Sequence, residues 1–287
     1  MLPHSMNESE KKMIKLNKFL SLQGVSSGSK ATCLWSNELD VLFDIGIFSR
    51  NAVARNHLLL SHAHIDHSAG LVYYLSQRKL LSMPQANLYV PEKTQHDFQS
   101  IIEAWQRLDG INYDFRLIPV EPNKKYSLKT GYHFIAYPVK HRVPALGYTI
   151  FEEKRKLKAK YLQLEPKEII KLRRDKVAIF EYLNIPLISY LGDCTFDSFI
   201  QNPIFRRSRY LILESTFIDK KKSCQHARKW GHIHLDEIFA DPAYFKHNEK
   251  IIVIHFSCRY GQNYIQKIVK KNCPPRLAEK ILIWPVS

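Results

Sequence analysis

The chain has 287 residues, with Lys+Arg 43, Asp+Glu 27 and a formal net charge of +16; hydrophobic residues make up 45% and aromatic residues 12%. This composition supports a packed core and excludes a disordered, collagen-like or low-complexity protein. No uncharged apolar run approaches the roughly 18 residues of a membrane span. The five cysteines (Cys33, Cys194, Cys224, Cys258, Cys273) form no CxxC pair and read as reduced thiols. The first residues are polar and mixed in charge, with no apolar segment of a secretion signal. A cytoplasmic location without membrane association is expected, or the nucleus or an organelle if the source is eukaryotic.

Residues 1–15 read as a flexible tail and 16–287 as one domain. Short apolar runs at 41–46, 58–61 and 87–90 read as buried strands, the last stopped by Pro91. Residues 70–81 carry helical periodicity, and 94–108 read as an amphipathic helix closed by Gly110. Further strands are expected at 134–140, 147–151, 187–191, 210–213 and 251–254. Many short strands with interspersed helices predict a layered α/β sandwich.

One insertion, about 152–180, breaks this pattern between two expected core strands. Residues 154–176 carry ten basic side chains (Lys154, Arg155, Lys156, Lys158, Lys160, Lys167, Lys171, Arg173, Arg174, Lys176) against three acidic ones. It reads either as a solvated helix face or as a basic arm for a nucleic acid backbone; the latter would make Lys154, Arg155, Lys156, Lys158, Lys160, Arg173 and Arg174 substrate contacts.

The richest stretch is Leu58-Leu59-Leu60-Ser61-His62-Ala63-His64-Ile65-Asp66-His67. Four metal-ligand side chains follow an apolar strand within six residues. His62 and His64 are two apart, so an extended chain sends both to one side. Asp66 and His67 follow where the chain turns into a helix. One tetrahedral ion cannot take all four without crowding; two adjacent ions can. His141, Asp193 and His255 each end another expected strand, where α/β architectures place their sites. Imidazole and carboxylate donors favour zinc, with manganese or iron as substitutes.

His62-Ala63-His64-Ile65-Asp66-His67 resembles the HxHxDH signature of the metallo-β-lactamase superfamily. Gly192-Asp193-Cys194-Thr195, Glu214-Ser215-Thr216-Phe217, Gly231-His232-Ile233-His234 and His255-Phe256-Ser257-Cys258-Arg259-Tyr260 resemble the successive motifs of ribonuclease Z, the tRNA 3′-processing endonuclease. The resemblance is closest to the short plant-type and cyanobacterial-type enzymes and runs from about Leu16 to the C-terminus. It implies a four-layer αβ/βα sandwich, usually as a homodimer. It also implies two zinc ions, one on His62, His64 and His141 and the other on Asp66, His67 and His255, with Asp193 between them. The family's Gly-Thr-Gly loop stands here as Gln23-Gly24-Val25-Ser26-Ser27-Gly28. The long Gly-Pro arm of many bacterial members is missing.

The expected reaction is removal of the 3′ trailer from precursor tRNA by two-metal activation of water, leaving a 3′-hydroxyl. Asp66 would hold or deprotonate the water, and His232, oriented by Glu214, would protonate the leaving oxygen. His234 competes for that role and otherwise reads as a polar loop residue. His226 reads as a loop-ordering residue, and Asp44 as a structural residue behind the site. Arg259 and Tyr260 read as packing or phosphate contacts, and Trp230, Phe217 and Phe256 as core. The alternatives are a phosphodiesterase for cyclic nucleotides or other small phosphodiesters on the same scaffold, and a catalytically silent RNA-binding relative.

Overall fold

The computed structural model describes residues 12–286. Within them, fourteen strands form two seven-stranded sheets. The first contains β1 (Lys12–Asn17), β2 (Leu20–Ser27), β3 (Ala31–Ser36), β4 (Val41–Phe43), β5 (His57–Leu59), β6 (Ala86–Pro91) and β7 (Phe115–Val120), in that spatial order. The second contains β8 (Lys125–Lys129), β9 (Tyr132–Pro138), β10 (Leu146–Leu157), β11 (Phe180–Tyr190), β12 (Tyr210–Glu214), β13 (Lys250–Ile254) and β14 (Ile281–Ile283), again in chain order. Each sheet is half antiparallel meander and half parallel: β1 to β4 and β8 to β11 alternate in direction, whereas β4 to β7 and β11 to β14 run parallel.

The expected tail lies outside the described residues up to residue 11, and Lys12–Asn17 pair with β2 as an edge strand instead of continuing it. β1 holds only Met13, Ile14 and Leu16 between lysines and Asn17, an apolar signal too short to stand out.

The parallel strands show why their sequences are apolar throughout. Successive side chains point to opposite faces, and both faces are covered. Val41 and Phe43 of β4, Tyr210 and Ile212 of β12, and Ile252 and Ile254 of β13 enter the core between the sheets. Leu42 packs on the outer face of the first sheet, and Leu211, Leu213, Ile251 and Val253 on that of the second.

Helices close both outer faces, giving the expected four-layer αβ/βα sandwich. On the first sheet lie α1 (Ile65–Ser68), α2 (Leu71–Leu80) and α3 (Gln95–Asp109). α2 buries Leu71, Tyr74, Leu75 and Arg78, a helical i, i+3, i+4, i+7 stripe, and α3 ends at Gly110 in the left-handed conformation, φ 65°. α4 (Pro166–Arg174) sits in the basic insertion. α5 (Phe196–Gln201), α6 (Pro203–Arg207), α7 (Cys224–Lys229), α8 (Leu235–Ala240), α9 (Gln262–Asn272) and α10 (Pro275–Ala278) follow the strands of the second sheet. Among the described residues, no helix is long and apolar enough to cross a membrane.

The insertion is a two-stranded ribbon. β9 pairs with β10 only from Leu146 to Glu152, and β12 pairs with β11 only from Ile188 to Tyr190. Apart from Glu153 N donating to the Gly131 carbonyl, residues 153–157 and 180–184 therefore pair only with each other, and the loop between them carries α4. At about 3.3 Å per residue, five residues lift the tip some 16 Å off the sheet. The basic segment is thus strand, loop and helix rather than one helix face. α4 opens with Glu165 and Glu168 in a reciprocal cap and ends with Lys171, Arg173 and Arg174 near its C-terminal carbonyls.

Ile212→Ala, in the shared core, is expected to lower unfolding stability by about 2–4 kcal/mol through reduced apolar burial and a residual cavity. Leu108→Ala, on an exposed helix face, should change it by less than about 0.5 kcal/mol. Urea denaturation of the two variants measures the contrast.

Candidate metal centre

The parallel strands all deliver their C-terminal ends to one rim. Asp44 follows β4, the His62–His67 loop follows β5, Asp193 follows β11, Glu214 ends β12 and His255 follows β13. His141 joins them from the loop after β9. Asp44 and His255 both adopt positive φ, 54° and 58°, turning the chain sharply as each strand ends. Asp and His tolerate this region better than most residues.

Seven side chains expected as ligands converge there. The donor atoms of His62, His64, His141 and Asp193 lie within 4.8 Å of one another, and so do those of Asp66, His67 and His255. Asp193 stands between the groups: Oδ1 is 3.4 Å from His67 Nε2, and Oδ2 is 3.9 Å from His62 Nε2.

The histidine tautomers are fixed from behind. Asp44 is fully buried and accepts from Ser61 N at 2.6 Å, Ser61 Oγ at 2.7 Å, His67 Nδ1 at 2.7 Å and the Tyr190 hydroxyl. Since Ser61 Oγ donates to Asp44, it accepts from His62 Nδ1, 2.9 Å away. His141 Nδ1 donates to the carbonyl of Gly231 at 2.8 Å. Thr216 Oγ1 donates to Glu214 Oε2 at 2.7 Å and so accepts from His255 Nδ1 at 3.1 Å.

Each of these rings therefore turns its Nε2 inward. His67 Nε2 and His255 Nε2 face each other at 3.2 Å, and His64 Nδ1 lies 3.0 Å from His62 Nε2 and 3.2 Å from His141 Nε2. Burial holds His62 well below the ordinary imidazole pKa, with neighbouring rings adding to the effect, and holds His64 and His141 below it too. Burial disfavours a charged His67 ring, but Asp193 and Asp44 outweigh it and hold that ring well above the ordinary imidazole pKa, so a cation would take the place of a proton there. The neutral nitrogens of His62, His64 and His141, beside a buried Asp193 Oδ1 with no hydrogen-bond partner among the described residues, form a donor set that fits a divalent cation. Two such groups of ligand atoms, partly buried, flank this one carboxylate.

His232 borders this centre. Its Nδ1 is 2.8 Å from Glu214 Oε1 and 3.2 Å from Thr216 Oγ1, and its ring is 5.3 Å from that of His141. Burial disfavours the charged ring, but the charge and hydrogen bond of Glu214, aided by Asp193, outweigh it and push the pKa up to about 9. Glu214 is itself held by the backbone N–H groups of Cys194 and Thr216.

The remaining expectations divide. His234 is no loop residue: it is buried, caps α8 by accepting from Asp236 N, and places Nε2 3.1 Å from the Asp219 carbonyl. His226 lies in the first turn of α7 with its ring 5.4 Å from Phe217. Phe217 and Phe256 are buried as expected, whereas Trp230 is 43% exposed and not core. Arg259 is exposed, with Nε 3.1 Å from Ser257 Oγ, while Tyr260 is buried. The basic side chains of the arm lie outside the metal centre; Lys154 pairs with Glu152 at 3.3 Å, and the guanidinium of Arg155 lies 4.2 Å from the Phe180 ring centroid. Ser61, Tyr190 and Thr216 do not stand out in the sequence. Their only signal is a hydroxyl beside a strand end, which most such residues share.

No family model matches the chain. tRNase Z TRZ1 of Arabidopsis thaliana is 31% identical over 256 residues, covering 88% of this chain and 91% of the relative. The solved structure of human tRNase Z, short form, superposes with a TM-score of 0.59 at 18% identity, covering 91% of this chain and 95% of that one. The metallo-β-lactamase fold protein YhfI from Bacillus subtilis gives a TM-score of 0.59 at 15% identity, covering 92% and 95%. The likeness to the two solved structures establishes the fold, and the identity to the plant protein establishes the family: the chain belongs to ribonuclease Z, metal-dependent endoribonucleases on the metallo-β-lactamase fold.

Proposed function

We propose that this protein removes the 3′ trailer from precursor tRNA, leaving a 3′-hydroxyl on the tRNA. The observation that carries the chemistry is the set of histidine nitrogens that converge around Asp193, next to a His232 that Glu214 keeps protonated. The substrate follows from the tRNase Z relative, which the chain matches over most of its length.

His62, His64 and His141 would hold one cation and Asp66, His67 and His255 a second, with Asp193 shared. Two zinc ions, or manganese or iron in their place, would lower the pKa of a bound water to about 7 and neutralise charge gathering on the phosphate. Asp66 is only partly buried and is anchored by the backbone N–H of Ser29 at 3.0 Å, which supports a role in which its carboxylate would orient the attacking water and take its proton. His232 supplies the opposite service. Its Nδ1 is committed to Glu214, so Nε2 is the nitrogen left to protonate the ribose O3′ as it departs. The arm, with Lys154, Arg155, Lys156, Lys158, Lys160, Arg173 and Arg174, would grip the tRNA backbone away from the cut. The five free cysteines fit a reducing compartment such as the cytoplasm.

The expected homodimer belongs to this proposal. A groove of about 480 Å³ between α2 and α3 is lined by Tyr73, Phe98, Ile101, Trp105 and Tyr113 and reaches Ile65 beside the metal ligands. Its apolar wall suits a second copy of the chain better than an RNA backbone; sedimentation at the mass of a monomer across micromolar concentrations would refute it.

Incubation with a chelator should abolish cleavage of a trailer-bearing precursor tRNA. His64→Ala and Asp193→Ala should also abolish it and lower bound metal, whereas His232→Ala should lose turnover by about 10²–10⁴-fold with metal content unchanged. The pKa of about 9 places the acid form of His232 below that pH and its loss above it. Glu214→Gln removes the charge that raises this pKa, so the alkaline limb of the rate profile should move to lower pH. The same His232–Glu214 pair stabilises the fold fully below the unfolded imidazole pKa of about 6.5 and loses that contribution as pH rises through about 9.

For the arm, Lys154, Lys156 and Lys158 replaced together by Ala should weaken tRNA binding. The salt slope should flatten by up to about 0.9 log units for each phosphate that is no longer neutralised. Hydrolysis of a small phosphodiester should persist; equal loss on both substrates would make the arm structural.

A further inference from the structure

Trp230 is a large aromatic residue left 43% exposed at the edge of the metal centre. It ends α7 and directly precedes Gly231 and His232. Arg142, the residue after His141, sets its guanidinium 4.6 Å from the indole centroid. The pair therefore spans the two loops that supply His141 and His232. Those loops are already locked together, since Gly231 has φ 77° and a Cβ there would come within 2.7 Å of His141 Nδ1.

The rim continues in the same chemistry. The His226 ring lies 6.2 Å from Trp230 and 5.4 Å from Phe217; Phe217 in turn is 6.1 Å from the His232 ring and 5.9 Å from the guanidinium of Arg259. Guanidinium, indole, imidazole, phenyl and guanidinium thus follow one another past His232. Packing does not require this arrangement, because an indole serving only the core would be buried. Phe217 is the buried support of this series, while the exposed Trp230 indole and the exposed Arg142 and Arg259 suit an unpaired RNA strand, which can stack a base on the indole and bring phosphates to the guanidinium groups.

We propose that Trp230, braced by Arg142, stacks against the nucleobase immediately 5′ of the cleaved bond, the last nucleotide retained by the product. The proposal rests on the reading of His232 as the acid. That histidine protonates O3′, so the nucleotide bearing O3′ lies on its side of the cut, and Trp230 is two residues away. Stacking tolerates any base, so the platform fixes where the strand is held and not which base occupies it.

The test crosses two protein variants with an abasic substrate, using the full-length chain and trailer-bearing precursor tRNA. Trp230→Ala should lower kcat/KM about 5- to 150-fold, the span expected when one base–aromatic stack is removed, and Trp230→Phe should recover most of it. Precursor lacking the base 5′ of the cut should cost the wild-type protein a similar factor and cost Trp230→Ala little, because both changes remove the same stack. An abasic penalty as large in Trp230→Ala as in the wild type would overturn the proposal. So would coupling that appears only when the missing base lies 3′ of the cut. Failure of the His232 reading shows separately, as an alkaline limb that Glu214→Gln does not move.

Discussion

A single buried carboxylate ties this molecule together. Asp44 leaves β4 of the first sheet and receives hydrogen bonds from Ser61 and His67 after β5 and from Tyr190 at the end of β11 in the second sheet. A carboxylate without such donors would be costly to bury, so these groups hold one another in place. The seam is reinforced nearby by Leu146 N donating to Ser61 O and by the Tyr148 hydroxyl donating to Leu60 O. Two half-sites on two sheets meet along this seam, and Asp44 sets the ring orientation of ligands that it does not itself accompany into the centre.

Glu214 plays the matching part on the far side. It orients His232 directly and His255 through Thr216, so one carboxylate links a ring expected to bind metal with a ring expected to carry a proton. Both carboxylates lie where parallel strands end, and so do the side chains they orient. The site is consequently built on rigid strand ends, while the arm and the Trp230 rim extend from it as the parts proposed to meet RNA.

The site is easier to read from sequence than the sheet. HxHxDH concentrates its chemistry in six residues, and His141, Asp193 and His255 each follow an apolar run, so position and residue type agree. The strands at 41–43 and 210–213 are legible because burial on both faces leaves them continuously apolar. β1 and β8 are not, since lysines and other polar residues interrupt these edge strands, and in β7 Arg116 and Pro119 break the apolar run. Trp230 reads as core from its side chain alone; what exposes it is Gly231, whose left-handed turn carries the chain against His141. His234 reads as a loop residue because capping depends on backbone geometry that composition does not display. The arm's charge is visible in the sequence, but its form as a ribbon is not: strand signals in 153–157 are overwritten by lysine and arginine, and its pairing with 180–184 is long-range.

The central claim is that seven side chains from both sheets hold two cations around Asp193. Anomalous diffraction from crystals of the zinc-loaded protein tests it most directly. Two peaks are predicted about 3.5–4 Å apart, one among His62, His64 and His141 and the other among Asp66, His67 and His255. Peaks elsewhere, or none within reach of Asp193, would contradict it.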